Sequence, residues 1–204
     1  MRLIILEGMD NTGKSTMLAE IVSHLKYWGI PEDKIYVKHL DKPNGATNEE
    51  KIANIDMINM NLCNELRELR CQLSQKYKYF IIDRAWYSEY VYGQIYRNRD
   101  AEDIKEKILQ LEKCIKKYFS SSNIVLYTFM TDSSRFLIEH EDGLSLSNGS
   151  EQLELIGREM KLFADITYYS ELENKYFIIV NSGNKFRNKE DILKEIKKTL
   201  PIEK

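Results

Sequence analysis

Short apolar runs alternate along the chain with longer stretches in which apolar side chains recur every three or four residues. The runs at 2–7, 34–40, 79–83, 123–130 and 176–181 are rich in Ile, Val, Tyr and Phe and predict five buried strands. Between the first two, 15–28 places Met17, Leu18, Ile21, Val22 and Leu25 at helical spacing, and Gly29 and Pro31 close it. The stretch 49–77 carries Ile52, Ile55, Ile58, Leu62, Leu66 and Leu69 along one face. Helical patterning returns over 102–119, over part or all of 151–173, and over 189–200. Strands separated by helices of this length pair in parallel through right-handed crossovers. The expectation is an α/β fold: a five-stranded parallel sheet with helices on both faces, binding its ligand at the carboxyl ends of the strands. The most irregular stretch, 139–150, reads either as a solvated loop or as part of a flap over those ends, a flexible lid at about 136–152.

Composition narrows the class. A chain of 204 residues with 43% hydrophobic side chains suits one domain, 1–204, with a sizeable core. Its 30 Lys and Arg against 32 Asp and Glu exclude a generally basic nucleic-acid coat, while a local basic groove stays open. No apolar run approaches the ~18 residues that span a bilayer. The opening run is too short for a signal peptide and is stopped by Glu7, so a cytoplasmic protein without membrane attachment is expected. Three cysteines, Cys63, Cys71 and Cys114, with no Cys-x-x-Cys pair, indicate neither a disulfide framework nor a zinc knuckle. His24, His39 and His140 are too scattered for metal-ligand spacing on one element.

The strongest chemical signal is Gly8-Met9-Asp10-Asn11-Thr12-Gly13-Lys14-Ser15, a G-x-x-x-x-G-K-[ST] match set where a predicted strand meets a predicted helix. In that setting glycines let backbone N–H groups converge on phosphate oxygens, and the helix N-terminus adds partial positive charge. Gly8, Asn11, Thr12, Gly13 and the following Thr16 are therefore candidates for holding ATP. Lys14 would reach its β- and γ-phosphates, and the Ser15 hydroxyl would ligate Mg²⁺. Asp83 closes an apolar strand, where such proteins place a carboxylate near the metal, and the planar fork of Arg84 beside it suits a phosphate. ATP and Mg²⁺ are the expected cofactors.

The Glu-Gly-x-Asp-x-x-Gly-Lys-Ser-Thr run at 7–16 and the Asp-Arg-x-x-x-Ser run at 83–88 together resemble thymidylate kinases and the thymidylate-kinase-like nucleotide kinases common in phage genomes. Pro43-Asn44-Gly45-Ala46-Thr47 is a loose version of that family's Pro-Gly-Gly-Thr segment. The resemblance implies a monophosphate acceptor, dTMP foremost. Asp10 would contact its sugar, Arg84 its phosphate, and Ser88 and Tyr92 would line its pocket. It also implies a transition-state arginine in the phosphate loop or lid. Here the variable loop positions hold no basic residue, and 136–157 contains no Lys or Arg, so Arg97, Arg135 and Arg158 are the nearest replacements. Where the family reads thymine with an arginine, Asn59, Asn61 and Asn64 stand instead. Homodimers are common in the family, and the 49–77 helix is the candidate face.

Chemistry keeps other acceptors open. A monophosphate is ionised near neutrality and needs positioning rather than a base, whereas a sugar hydroxyl needs a carboxylate to take its proton. Asp41, just past the second strand, matches the place of that carboxylate in related deoxynucleoside kinases. A deoxynucleoside kinase, a kinase of a modified nucleotide or nucleic-acid hydroxyl, and a regulatory nucleotide-binding module with little turnover remain alternatives. The expected partner is a small-molecule nucleotide, with nucleic acid disfavoured.

Overall fold

The computed structural model describes residues 1–40, 42–72, 76–139 and 152–201. Its centre is a parallel sheet in the order β2-β3-β1-β4-β5, formed by β1 (Arg2–Gly8), β2 (Ile35–His39), β3 (Tyr79–Asp83), β4 (Ile124–Met130) and β5 (Lys175–Ile179). Every residue of β1, β3 and β4 is buried, as a parallel sheet covered on both faces requires. Successive strand residues point to opposite faces. Leu3, Ile5, Phe80 and Ile82 therefore join a core with α2 (Asn48–Gln72), α3 (Tyr87–Tyr96), α4 (Ala101–Lys116) and α6 (Gln152–Tyr169). Ile4, Leu6, Tyr79 and Ile81 face α1 (Lys14–Tyr27) and α7 (Lys189–Lys197) on the other side. The predicted α/β architecture, with its five strands and both helical layers, is the observed one.

Register fixes the site. Leu6 pairs with Asp83, Gly8 with Phe129 and His39 with Asp83, which brings the carboxyl ends of β1, β2 and β3 together. The loop after β2 is tied to α2 by a reciprocal cap: Glu50 N–H donates to Thr47 Oγ1 at 3.2 Å, and Ala46 N–H to Glu50 Oε2 at 2.7 Å. That cap is a local reason for the Pro43-Asn44-Gly45-Ala46-Thr47 spelling.

Two features depart from the sequence reading. The run at 176–181 is not one strand: β5 ends at Ile179, and Asn181 opens a small antiparallel hairpin of β6 (Asn181–Ser182) and β7 (Lys185–Phe186), turned at Gly183 with φ 59°. Asn181 is buried and holds the turn, accepting from Asp132 N–H at 2.9 Å and donating to Gly183 O at 2.9 Å. A strand of two residues leaves no periodicity to detect. The expected lid region also begins with a helix, α5 (Ser134–Glu139), too short to show a face in sequence. The remainder of that lid, 140–151, lies outside the described residues, as does His140.

Candidate active site

The phosphate loop is shaped by backbone that few residues tolerate. Gly8 has φ 129°, and a Cβ there would lie 2.0 Å from the Phe129 carbonyl oxygen of β4, so only glycine fits. Gly13, with φ 71°, opens α1 without a side-chain cap, which leaves the first N–H groups of the helix for an anion. Thr12 Oγ1 donates to Met9 O at 2.7 Å, and the buried Lys14 ammonium folds back onto the same carbonyl, 3.4 Å from Thr12 Oγ1. Burial, reinforced by the nearby Arg84 charge, pulls the Lys14 ammonium down to about 7 from its ordinary 10.5. Asp10, Asp83 and Glu7 act on Lys14 only from a distance, so a phosphate arriving in the loop would be its first direct ionic partner. Asn11, Gly13, Lys14, Ser15 and Thr16 line a cavity of about 350 Å³, while Gly8 and Thr12 stand behind its wall.

Asp83 forms the far side of that cavity. Its buried carboxylate accepts from Ser15 Oγ at 3.3 Å and is bonded to His39 Nδ1 at 3.0 Å, both on Oδ2. Oδ1 is buried with no partner among the described residues. A buried carboxylate oxygen without a donor is costly, and beside a hydroxyl at a phosphate cavity it suits a hard divalent cation. The residues present therefore fit Mg²⁺. Among the described residues no group of three or more His, Cys, Asp or Glu could hold an ion. Ser15 and Asp83 would bind it only together with oxygens of the nucleotide.

A second cavity of about 280 Å³ opens between the end of β2, the first half of α2, and α3. Asp10, His39, Lys42 and Arg84 line both cavities, so the two adjoin at those side chains. Arg84 sits in the left-handed region at φ 66°, and its N–H extends the β1 ladder to Leu6 O at 2.9 Å. Such a conformation is unfavourable for an arginine and is held only by its surroundings. Here it turns the guanidinium into the junction. One nitrogen pairs with Asp10; the other lies 3.4 Å from Gly8 O, 3.4 Å from Ser88 Oγ and 3.5 Å from Tyr92 Oη. Asp10, Arg84, Ser88 and Tyr92 are thus one cluster.

Glu7 anchors that cluster from below. Its carboxylate accepts from Ala85 N–H at 2.6 Å, from Ser88 N–H at 3.3 Å and from the Ser88 hydroxyl, pinning the entry to α3. Burial pushes its carboxyl above the ordinary value, against the pull of Ser88 and Arg84. Arg97 lines only the second cavity. Its guanidinium is held by Glu89, with Nε at 3.3 Å, and Arg99 grips the same carboxylate at 2.9 Å. Arg135 on α5 and Arg158 on α6 are exposed and line neither cavity. Asn59 is buried, Asn61 and Asn64 are exposed, and none of the three reaches the cavity wall. Asp41 lies outside the described residues. The sequence reading assigned no role to Glu7, His39, Lys42, Lys51 or Glu89. Glu7 and His39 had the signal of their position at the end of a predicted strand, and Glu7 also opens the run at 7–16; the others needed the fold.

This architecture is the fold of two solved proteins, one of them a thymidylate kinase. The chain superimposes on a thymidylate kinase from Ehrlichia chaffeensis with a TM-score of 0.58 and 17% identity, covering 98% of each chain. It also superimposes on the YorR protein of Bacillus subtilis, solved in complex with phosphorylated GDP, with a TM-score of 0.59 and 21% identity, covering 96% of this chain and 93% of that one. No protein-family model matches the sequence, and no curated protein matches it.

Proposed function

We propose that the chain is an ATP-dependent nucleoside monophosphate kinase that transfers the γ-phosphoryl group of ATP to a deoxynucleoside monophosphate, with dTMP the first acceptor to test. One observation carries this reading: Arg84, forced into left-handed backbone, stands where the phosphate-loop cavity meets a second cavity large enough for a nucleotide. ATP would place its phosphates along the α1 N-terminus with Lys14 released from Met9 O to them. Bound between Ser15, Asp83 and the nucleotide, Mg²⁺ would neutralise phosphate charge. Arg84 and Ser88 would hold the acceptor phosphate, and Asp10 would orient both the arginine and the sugar. An oxygen of the acceptor phosphate then bonds to the γ-phosphorus as the bridging P–O bond to the β-phosphate breaks, leaving ADP. The acceptor oxygen carries no proton to remove, so positioning and charge suffice.

The test is an ADP-release assay with Mg·ATP against deoxynucleoside monophosphates, the matching nucleosides, and no acceptor. Turnover on a monophosphate supports the reading. Turnover on nucleosides alone would transfer the chemistry to a hydroxyl and make Asp41 the candidate base. Silence throughout with ATP bound would overturn it in favour of a binding module.

A further inference from the structure

Resting on that reading, we propose that Lys51 selects the acceptor by its base, favouring bases that present an oxo group over those that present an exocyclic amino group. The reacting end of the acceptor is fixed by the four residues common to both cavities. Lys51 lines only the second cavity, together with Asn48 and Ile55 from the same face of α2, so it meets the part of the acceptor remote from the transferred phosphoryl group. In a nucleoside 5′-monophosphate that part is the base. Leu40, Pro43 and Ile55 give the wall the apolar surface a flat ring needs.

The electrostatic state of the cavity singles this lysine out. Arg84 is paired with Asp10, Arg97 with Glu89, and Lys42 is also engaged. Lys51 is half-buried and makes no ion pair or side-chain hydrogen bond among the described residues. An ammonium has three donors and no acceptor. Thymine and uracil offer O4 and guanine offers O6, each an acceptor; cytosine and adenine put an amino donor at the equivalent edge. Donor against donor leaves both groups unpaired at the contact, the situation in which a site rejects an analogue most strongly. Asn48, which both donates and accepts, makes no such choice.

The experiment is equilibrium binding of dTMP, dGMP, dCMP and dAMP to the full chain and to Lys51→Met and Lys51→Arg, with ATP affinity measured in parallel. A hydrogen bond to a charged donor predicts that the wild type holds dTMP and dGMP on the order of tenfold or more tighter than dCMP and dAMP. Lys51→Met closes that gap by weakening the oxo nucleotides alone, and Lys51→Arg keeps it. A wild type without the gap, or a gap that survives in Lys51→Met, overturns the inference while leaving the kinase reading intact. If ATP binds and none of the four monophosphates does, the acceptor reading falls and the role of Lys51 with it.

Discussion

The two adjoining cavities are built in opposite ways. The phosphate-loop cavity is written almost entirely in one contiguous run, 8–16, and its key surfaces are backbone: a glycine jammed against Phe129 and an uncapped helix N-terminus. The second cavity is a composite of side chains from the end of β2, the first turns of α2, and α3. Their cations differ accordingly. Lys14 rests on a neutral carbonyl and is held near the edge of losing its proton, so an arriving phosphate improves its surroundings. Arg84 and Arg97 already have carboxylate partners, so an acceptor phosphate must share Arg84 with Asp10. On the proposed reading, donor recognition would rest on a cation without a direct ionic partner, and acceptor recognition on geometry set beforehand.

That contrast breaks first at Lys14. Lys14→Ala removes the only cation anchored within the loop, and losing a preorganised charge of this kind costs on the order of 10²–10³ in kcat. The expected result is such a loss for every acceptor alike, with far-ultraviolet circular dichroism unchanged. Near-normal turnover would show that the loop is not the donor site. Arg84→Ala comes next and is one-sided: a charged hydrogen-bonding partner is worth about 1.5–3 kcal/mol, so kcat/KM for the acceptor falls roughly tenfold to a hundredfold while ATP affinity holds. If ATP binding drops in step with the acceptor term, the two cavities do not divide the substrates between them.

The same contrast explains what could be read in advance. The fold was legible because β1, β3 and β4 are unbroken apolar runs and α1, α2 and α4 show their buried faces in the spacing of Ile and Leu. The phosphate loop was legible because backbone geometry demands particular residues at fixed local spacing, as Gly8 and Gly13 do. The second cavity was only half legible. Asp10, Ser88 and Tyr92 were singled out by likeness to a family and Arg84 also by its place beside the strand-end Asp83, whereas Lys51 and Glu89 look in sequence like any charged residue on a helix face. What distinguishes them is who stands opposite: Glu89 faces Arg97 and Arg99, and Lys51 has no ion-pair partner among the described residues. Such relations cross from one element to another, so no local window contains them. The β6–β7 hairpin failed for a different reason, being too short to carry a period.

Glu7 offers the smallest effect and the finest test of the comparison, because it belongs to β1 by chain and to the second cavity by contact. Its carboxylate fixes Ala85 and Ser88, the step from β3 into α3. Glu7→Gln keeps an oxygen acceptor for Ala85 N–H and turns a donor to the Ser88 hydroxyl, as the protonated carboxyl does, so in acid the variant should lie within about 1 kcal/mol of the wild type. ATP affinity should stay put in the variant. The pH dependence has a definite sign. Because burial raises the carboxyl above its ordinary 4.5, the folded chain binds the proton more tightly than the unfolded chain. This contribution to stability is thus complete below about 4.5 and is lost as pH climbs through the raised value. Glutamine has nothing to titrate, so the wild type should lose stability relative to the variant as pH rises. Denaturant midpoints measured from acid to neutral pH decide it: a wild type that holds or gains stability relative to the variant would mean that Glu7 is ionised throughout, held by Arg84 and the two N–H donors strongly enough to outweigh its burial.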